Sequence, residues 1–428
     1  MKFVIKTFLF LIFILNISVA NANTLFESLS LAYLKNPKLN AERANMRASK
    51  EEKREAVSEF LPTVTISGYN SSQDSFNSNL ADVNIDPKER SFLVEQKIFQ
   101  GFGGVANLQK KRKGQKLGEY KLKKIEQEIL LEAAKVHTEL FLNKKKVNIN
   151  LLNVELLERQ VETDQNRLEK GEINLTDLAQ SESSLAGARA ELIIAKNNFI
   201  TSKTNFEKIV GKKIIDENVE VSVENNLNLP ESLATAFKIS NSENPDLQIA
   251  FLEYEQSKLD VTIAASELSP AATLSYKRAE QDNISSTIQE RTQETVTATA
   301  TWPIFSGGKN TFNYRKFKQI KNQKELLVED QKKTTKAEVV TAWSSYQSSK
   351  SVLDSIISQV KAAEIANEGI TLEYETGTTR TTLEVIQSRS ILLNSRVNLA
   401  SSERNFLISQ FNLLSAVGRL TAKHLNLQ

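Results

Sequence analysis

Apolar positions in this chain keep two rhythms. From Leu122 they recur at steps of three and four, through Ile125, Ile129, Ala133, Val136, Leu140, Val147, Leu151, Val154, Val161 and Leu168. Where the step widens to seven, one polar residue (Lys144, Glu158 or Gln165) fills the gap. That spacing predicts a coiled-coil seam on a long helix. Leu383, Ile386, Leu393, Val397, Ala400, Leu407, Phe411 and Leu414 repeat it near the C-terminus. Elsewhere the period falls to two. Val64, Ile66 and Gly68 alternate with Thr63, Thr65 and Ser67; Ala272, Leu274 and Tyr276 alternate with Thr273, Ser275 and Lys277; Val296, Ala298, Ala300 and Trp302 alternate with threonines. Such alternation predicts strands with one apolar and one polar face, as a barrel wall between lipid and water requires and as a half-buried soluble sheet also displays.

The rhythms occur twice in the same order. Asn36-Pro37 returns as Asn244-Pro245, Ile98-Phe99-Gln100-Gly101 as Ile304-Phe305-Ser306-Gly307, Glu169-Lys170-Gly171 as Glu375-Thr376-Gly377, and Val210-Gly211 as Val417-Gly418, each displaced by 206 to 208 positions. Landmarks in one order at one offset indicate an internal duplication. Each copy is expected to contain a helix (25–60, 233–267), a strand (62–72, 270–281), a polar loop (73–89, 282–290), a second strand (91–99, 292–305), and a glycine corner leading into very long helices. Pro37 and Pro245 fall near helix starts, where proline is least disruptive. The copies are assigned to residues 23–211 and 231–428, with 212–230 as linker.

Composition narrows the function. Cysteine is absent, which excludes disulfides and thiolate chemistry, and only His137 and His424 are present. The formal charge is +3, and two of those charges, Lys2 and Lys6, lie in the leader; this gives no electrostatic case for nucleic acid. The basic start, the apolar run from Phe8 to Ile14 and Ala20-Asn21-Ala22 predict a signal peptide over 1–22. No later segment reads as a transmembrane helix. The stretch from Gly104 to Gly171 lacks proline and could extend roughly 100 Å at about 1.5 Å per residue, about three times a hydrocarbon core. Four strands cannot close a barrel and open edges are not tolerated in lipid, so membrane strands would require several chains to share one barrel. Cyclic symmetry then rings the helices into a tube.

The whole stretch from Leu25 to Leu420 resembles the TolC family of outer-membrane efflux proteins. The resemblance rests on Leu31-Ala32 with Asn36-Pro37, the Leu61-Pro62 strand entry, the Pro303 to Gly308 corner, and Tyr374 to Leu420 with Gly377-Thr378-Thr379-Arg380-Thr381 and Ser415-Ala416-Val417-Gly418. It implies a mainly α chain with membrane β-structure, a homotrimer sharing a twelve-stranded barrel in the outer-membrane lipid, and an α-helical barrel in the periplasm. It also implies export of small molecules or proteins, by drug efflux or type I secretion, with an inner-membrane pump and a periplasmic adaptor. A periplasmic coiled-coil scaffold without a barrel is the alternative.

No enzyme site and no cofactor are expected. Gly101-Phe102-Gly103-Gly104 and Ser306-Gly307-Gly308-Lys309 lack the spacing of phosphate loops; Gly101, Gly103, Gly307 and Gly308 read as strand-to-helix corners. His137 beside the seam reads as a packed side chain. By resemblance, Thr176 and Asp177 in the first distal turn would bond Tyr374 and Arg380 in the second and hold the periplasmic entrance shut. Arg380 lies one residue further from its glycine than in the family's best-known members. Glu384 and Gln387 match the family's acidic rings at the pore constriction, with the second charge lost.

Overall fold

The computed structural model describes residues 24–75, 83–214, 227–285, 287–376 and 380–427. The leader, most of the 212–230 linker and Gly377 lie outside the described residues. In chain order the elements are α1 (Leu25–Lys35), α2 (Pro37–Ser58), β1 (Thr63–Asn70), β2 (Gln73–Ser75), β3 (Val83–Ile85), β4 (Lys88–Gln100), α3 (Gly103–Glu169) and α4 (Leu175–Val210). Then come α5 (Leu233–Glu243), α6 (Pro245–Ser266), β5 (Ala271–Ser285), β6 (Ile288–Thr301), α7 (Lys309–Glu375) and α8 (Thr382–Val417). The duplication is visible in the lengths: α1 and α5 have 11 residues each, α2 and α6 have 22, α3 and α7 have 67, α4 and α8 have 36.

Where one opening helix was expected per copy, the chain forms two, because Asn36 and Asn244 leave helical geometry before each proline. Asn36 ends α1, and its Oδ1 accepts from the Lys38 and Leu39 amides of α2. Its Nδ2 donates to the Ile209 carbonyl at the end of α4, 3.1 Å away. Asn244 repeats the clamp on Ala416 of α8 at 3.0 Å.

The chain divides into two compact units. The helical unit comprises residues up to Asn40, Ile125–Asn244 and Lys336–Gln428. Its core contains Leu140, Phe199, Phe206 and Val210 in one cluster, and Ala236, Ile239, Val339, Leu413 and Val417 in another. Small residues spaced by seven, Ser181, Ala188, Ala195 and Ser202 on α4 and Ser388, Ser395, Ser402 and Ser409 on α8, are buried. They allow close helix approach, and Ser202, Ser388, Ser395 and Ser409 satisfy their hydroxyls on carbonyls three or four residues back. Leu151, on the expected seam, is exposed instead; Val154, Leu157 and Gln160 are the buried positions there.

The second unit, Ala41–Lys124 and Pro245–Thr335, carries an antiparallel sheet in the order β1-β4-β5-β6. Its register puts Val64, Val94, Tyr276 and Val296 in one row, with Leu274 and Ala298 paired on the same face. The opposite face bears Thr63, Glu95, Ser275 and Thr297. The apolar face ends where Arg278 pairs with Glu294. From Ala272 to there is about 20 Å along the strand at about 3.3 Å per residue, close to the roughly 25 Å lipid-facing band of membrane barrels. The loop expected over 282–290 is largely strand, since β5 runs to Ser285 and β6 begins at Ile288. Within the loop expected over 73–89, β2 and β3 pair, and β4 already begins at Lys88. No described helix is long and apolar enough to cross a membrane.

Candidate functional site

The distal turns of the helical unit join α3 to α4 and α7 to α8. Each following helix opens with a capping box: Asn174 and Asp177 on α4, Thr381 and Glu384 on α8. Asp177 accepts from the Asn174 amide at 3.3 Å, and Asn174 Oδ1 accepts from the Asp177 amide at 3.0 Å. Glu384 accepts from the Thr381 amide at 2.8 Å. That bond first, and Arg380 second, hold the Glu384 carboxyl below its usual value.

Within the chain, therefore, the expected tether from Thr176 and Asp177 to Tyr374 and Arg380 is absent among the described residues. Asp177 serves its own helix, and Thr176 is exposed. Arg380 is captured by two nearer carboxylates, Glu373 at 2.6 Å and Glu384 at 3.0 Å, which hold its guanidinium above the usual value. Gln387, one turn beyond Glu384, is exposed.

Tyr374 finds a different acceptor. Its hydroxyl donates to Asp164 Oδ1 on α3, 3.0 Å away. The single phenolic proton is thereby used, so Thr382 Oγ1, at 3.1 Å, donates to the phenolic oxygen. Asp164 is fully buried and also accepts from Gln160 Nε2 at 2.8 Å and Ser181 Oγ at 2.5 Å. Arg167 lies 4.6 Å over the Tyr374 ring. Arg389 of α8 is largely buried; burial pushes its guanidinium down, and the charges of Glu375 and Asp164 partly offset that. Burial likewise pushes the Tyr374 hydroxyl up, keeping it a donor. One carboxylate thus gathers side chains from α3, α4, α7 and α8. Sequence reasoning missed Asp164, because Gln160 and Asp164 lie one residue before Val161 and Gln165 of the expected seam and yet are the buried positions.

Gly101, Gly307 and Gly308 have positive φ, and Gly103 opens α3. At Gly101, with φ +56°, an added Cβ would lie 2.5 Å from Ser269 Cβ and 2.8 Å from the Ser266 carbonyl oxygen, and one at Gly103 would run into Ser266 Oγ. His137 packs in the core with Nδ1 2.9 Å from Ser28 Oγ, and His424 Nε2 donates to the Leu227 carbonyl at 3.2 Å.

Residues 28–212 and 238–419 each match the family described as outer membrane efflux protein. The chain is 25% identical over 410 residues to the outer membrane efflux protein BepC of Brucella suis biovar 1 (strain 1330), covering 96% of this chain and 88% of that one. It is 22% identical over 423 residues to the outer membrane protein TolC of Escherichia coli (strain K12), covering 95% and 85%. Its fold is similar to the Campylobacter jejuni CmeC outer membrane channel, with a TM-score of 0.83 at 15% identity over 93% of this chain and 86% of that one. The duplicated match coincides with the duplicated helices, and it covers most of the chain: the chain belongs to the outer membrane efflux protein family, as a non-enzymatic channel of TolC type whose helices extend into the periplasm.

Proposed function

We propose that three copies assemble into one conduit that exports small molecules or proteins from the periplasmic side. The observation carrying this is the four-stranded sheet with both edges open: every residue of β1 and β6 is exposed in the single chain. An even number of antiparallel strands leaves β1 and β6 running in opposite directions, so β6 of one copy can pair with β1 of the next. Three copies make a closed wall of twelve strands and leave no edge in lipid. Cleavage after Ala22, and repeats of 23–211 and 231–428 joined by 212–230, belong to this reading. Native mass spectrometry of detergent extracts should give a mass three times that of the chain. A monomer that stays dispersed without detergent would overturn it.

The distal turns form the periplasmic gate, and this end docks with an adaptor and an inner-membrane pump. Tyr374 acts through Asp164, Arg380 through Glu373 and Glu384, while Thr176 and Asp177 shape the start of α4. Glu384 and Gln387 line the constriction. Arg380 between two glutamates leaves one net negative charge per chain there, which favours cations. Glu384→Gln neutralises it, so the reversal potential in a salt gradient should move toward zero. An unchanged potential would remove Glu384 from the constriction. The folded pKa of Glu384 is depressed, so its contribution to the cap is complete above the ordinary carboxylate range and disappears only as pH falls through the lower folded value.

A further inference from the structure

We propose that the second unit holds anionic phospholipid headgroups where the strands give way to the long helices, on the leaflet from which those helices leave the membrane. Both long helices begin with a run of bases and no acid. From Gly103 to Gly118 there are Lys110, Lys111, Arg112, Lys113 and Lys116; from Lys309 to Lys324 there are Lys309, Arg315, Lys316, Lys318, Lys321 and Lys324. Neither helix has an acid in its first turn, although that is where the helix dipole favours one. Helix stability therefore does not account for these charges.

Five of the eleven are used within the protein. Lys110, Lys111, Lys113 and Lys324 pair with Asp260, Glu52, Glu255 and Glu253 at 2.6 to 3.1 Å, and Lys321 lies 3.7 Å from Glu325. Arg112, Lys116, Lys309, Arg315, Lys316 and Lys318 have no carboxylate partner among the described residues. Lys309, Phe312, Asn313 and Lys316, at helical spacing on one face of α7, line an open groove of about 780 Å³ with Asn310 and Glu267. Glu267 is the only acid in it, and its carboxylate accepts from Asn313 Nδ2 at 3.1 Å. Neither ammonium group pairs with that carboxylate, and Lys316 Nζ lies 4.7 Å over the Phe317 ring, which leaves both charges available to an outside anion.

The surroundings identify that anion as a lipid. The corner entering α7 exposes Trp302, Ile304 and Phe305, the last two by 86% and 87%, and Phe312 of the groove is exposed as well. Trp302 is fixed by its indole N–H on the Leu268 carbonyl at 3.0 Å, so its ring stays outside. These residues continue the apolar face of the sheet toward the helices. Aromatic rings at the end of a lipid-facing band, followed at once by unpaired cations, match the order of acyl chain and headgroup. A soluble anion would require the cations but not the apolar collar.

The test is lipid retention by the detergent-solubilised full chain, read by native mass spectrometry with added phosphatidylglycerol or phosphatidylcholine. The wild type should retain phosphatidylglycerol in preference. Each cation near an anionic surface is worth about fivefold, so Lys309→Gln with Arg315→Gln and Lys316→Gln should lower that preference tenfold or more. Lys350→Gln, an exposed residue further along α7, should leave it intact. Equal retention of the two lipids by the wild type, or undiminished preference in the triple variant, would overturn the proposal. So would displacement of the lipid by the soluble headgroup glycerophosphoglycerol at equal concentration, which would mark a site for dissolved anions. The proposal rests on the sheet entering lipid. Failure to insert into liposomes would sink that reading, whereas insertion without headgroup preference would sink this one alone.

Discussion

Asp164→Ala is expected to loosen the distal ends of four helices and raise single-channel conductance well above that of the wild type. The carboxylate is fully buried and accepts from Gln160, Ser181 and Tyr374. Alanine leaves these three donors without an acceptor and removes a charge that favours the ionised Arg389. Removing one member of a buried charged network costs about 3–5 kcal/mol. The loss is local, so amide exchange over residues 160–185 and 370–390 should quicken while the sheet stays protected. Tyr374→Phe deletes one donor, worth about 1 kcal/mol, and should raise conductance less. Tyr374→Phe with Arg380→Ser should fall between the two. Unchanged conductance and exchange in Asp164→Ala, with trimer and insertion intact, would show that the cluster is packing only.

Gly418→Ala should be the most damaging single-methyl change in the helical unit. At φ +85° the added Cβ would sit 2.4 Å from the Glu243 carbonyl oxygen and 2.7 Å from Asn244 Cα. Those atoms are backbone at the end of α5, and Asn244 is the residue that clamps the Ala416 carbonyl. The next residue, Arg419, pairs with the Glu243 carboxylate at 2.8 Å, so the strain reaches that pair as well. Backbone strain of about 1 kcal/mol combines with displacement of a packed junction, for a loss of about 3 kcal/mol or more. The duplication supplies a control. Gly211 has φ +75°, but the atom nearest its added Cβ is Lys35 Cβ at 3.8 Å. Gly211→Ala should therefore cost only the backbone strain. Thermal unfolding of the two variants should separate them clearly; equal losses would mean the α5 junction yields.

The duplication and element order were legible because Asn-Pro, the glycine corners and the Val-Gly helix ends are local chemistry that recurs at a fixed spacing. The buried face of α8 was not. Near the distal turn it consists of Thr382, Val385, Ser388 and Ser395, small or hydroxylated residues that a hydrophobicity pattern cannot detect. Leu383, placed on the seam, is 42% exposed in the single chain; one chain's periodicity does not say which neighbour a face meets. Asp164 escaped for a related reason. A lone carboxylate on a long helix reads as a solvent position until its donors on two other helices are seen. Within the chain Asp177 caps α4, because a residue three past a cap has a near use for its carboxylate.

The open edges of β1 and β6 also bear on the timing of biogenesis. The core clusters of the helical unit are made within one chain and can form before partners are met. In the proposed trimer the sheet is not completed by any one molecule, whatever its stability, because β1 and β6 take their last hydrogen bonds from neighbours. Between export and assembly each copy presents two strands able to pair with any other strand. Meeting two correct partners is a concentration-dependent step, and aggregation competes with it at the same edges. Expression level and escort by chaperones, more than intrinsic fold stability, then govern how much functional channel a cell obtains.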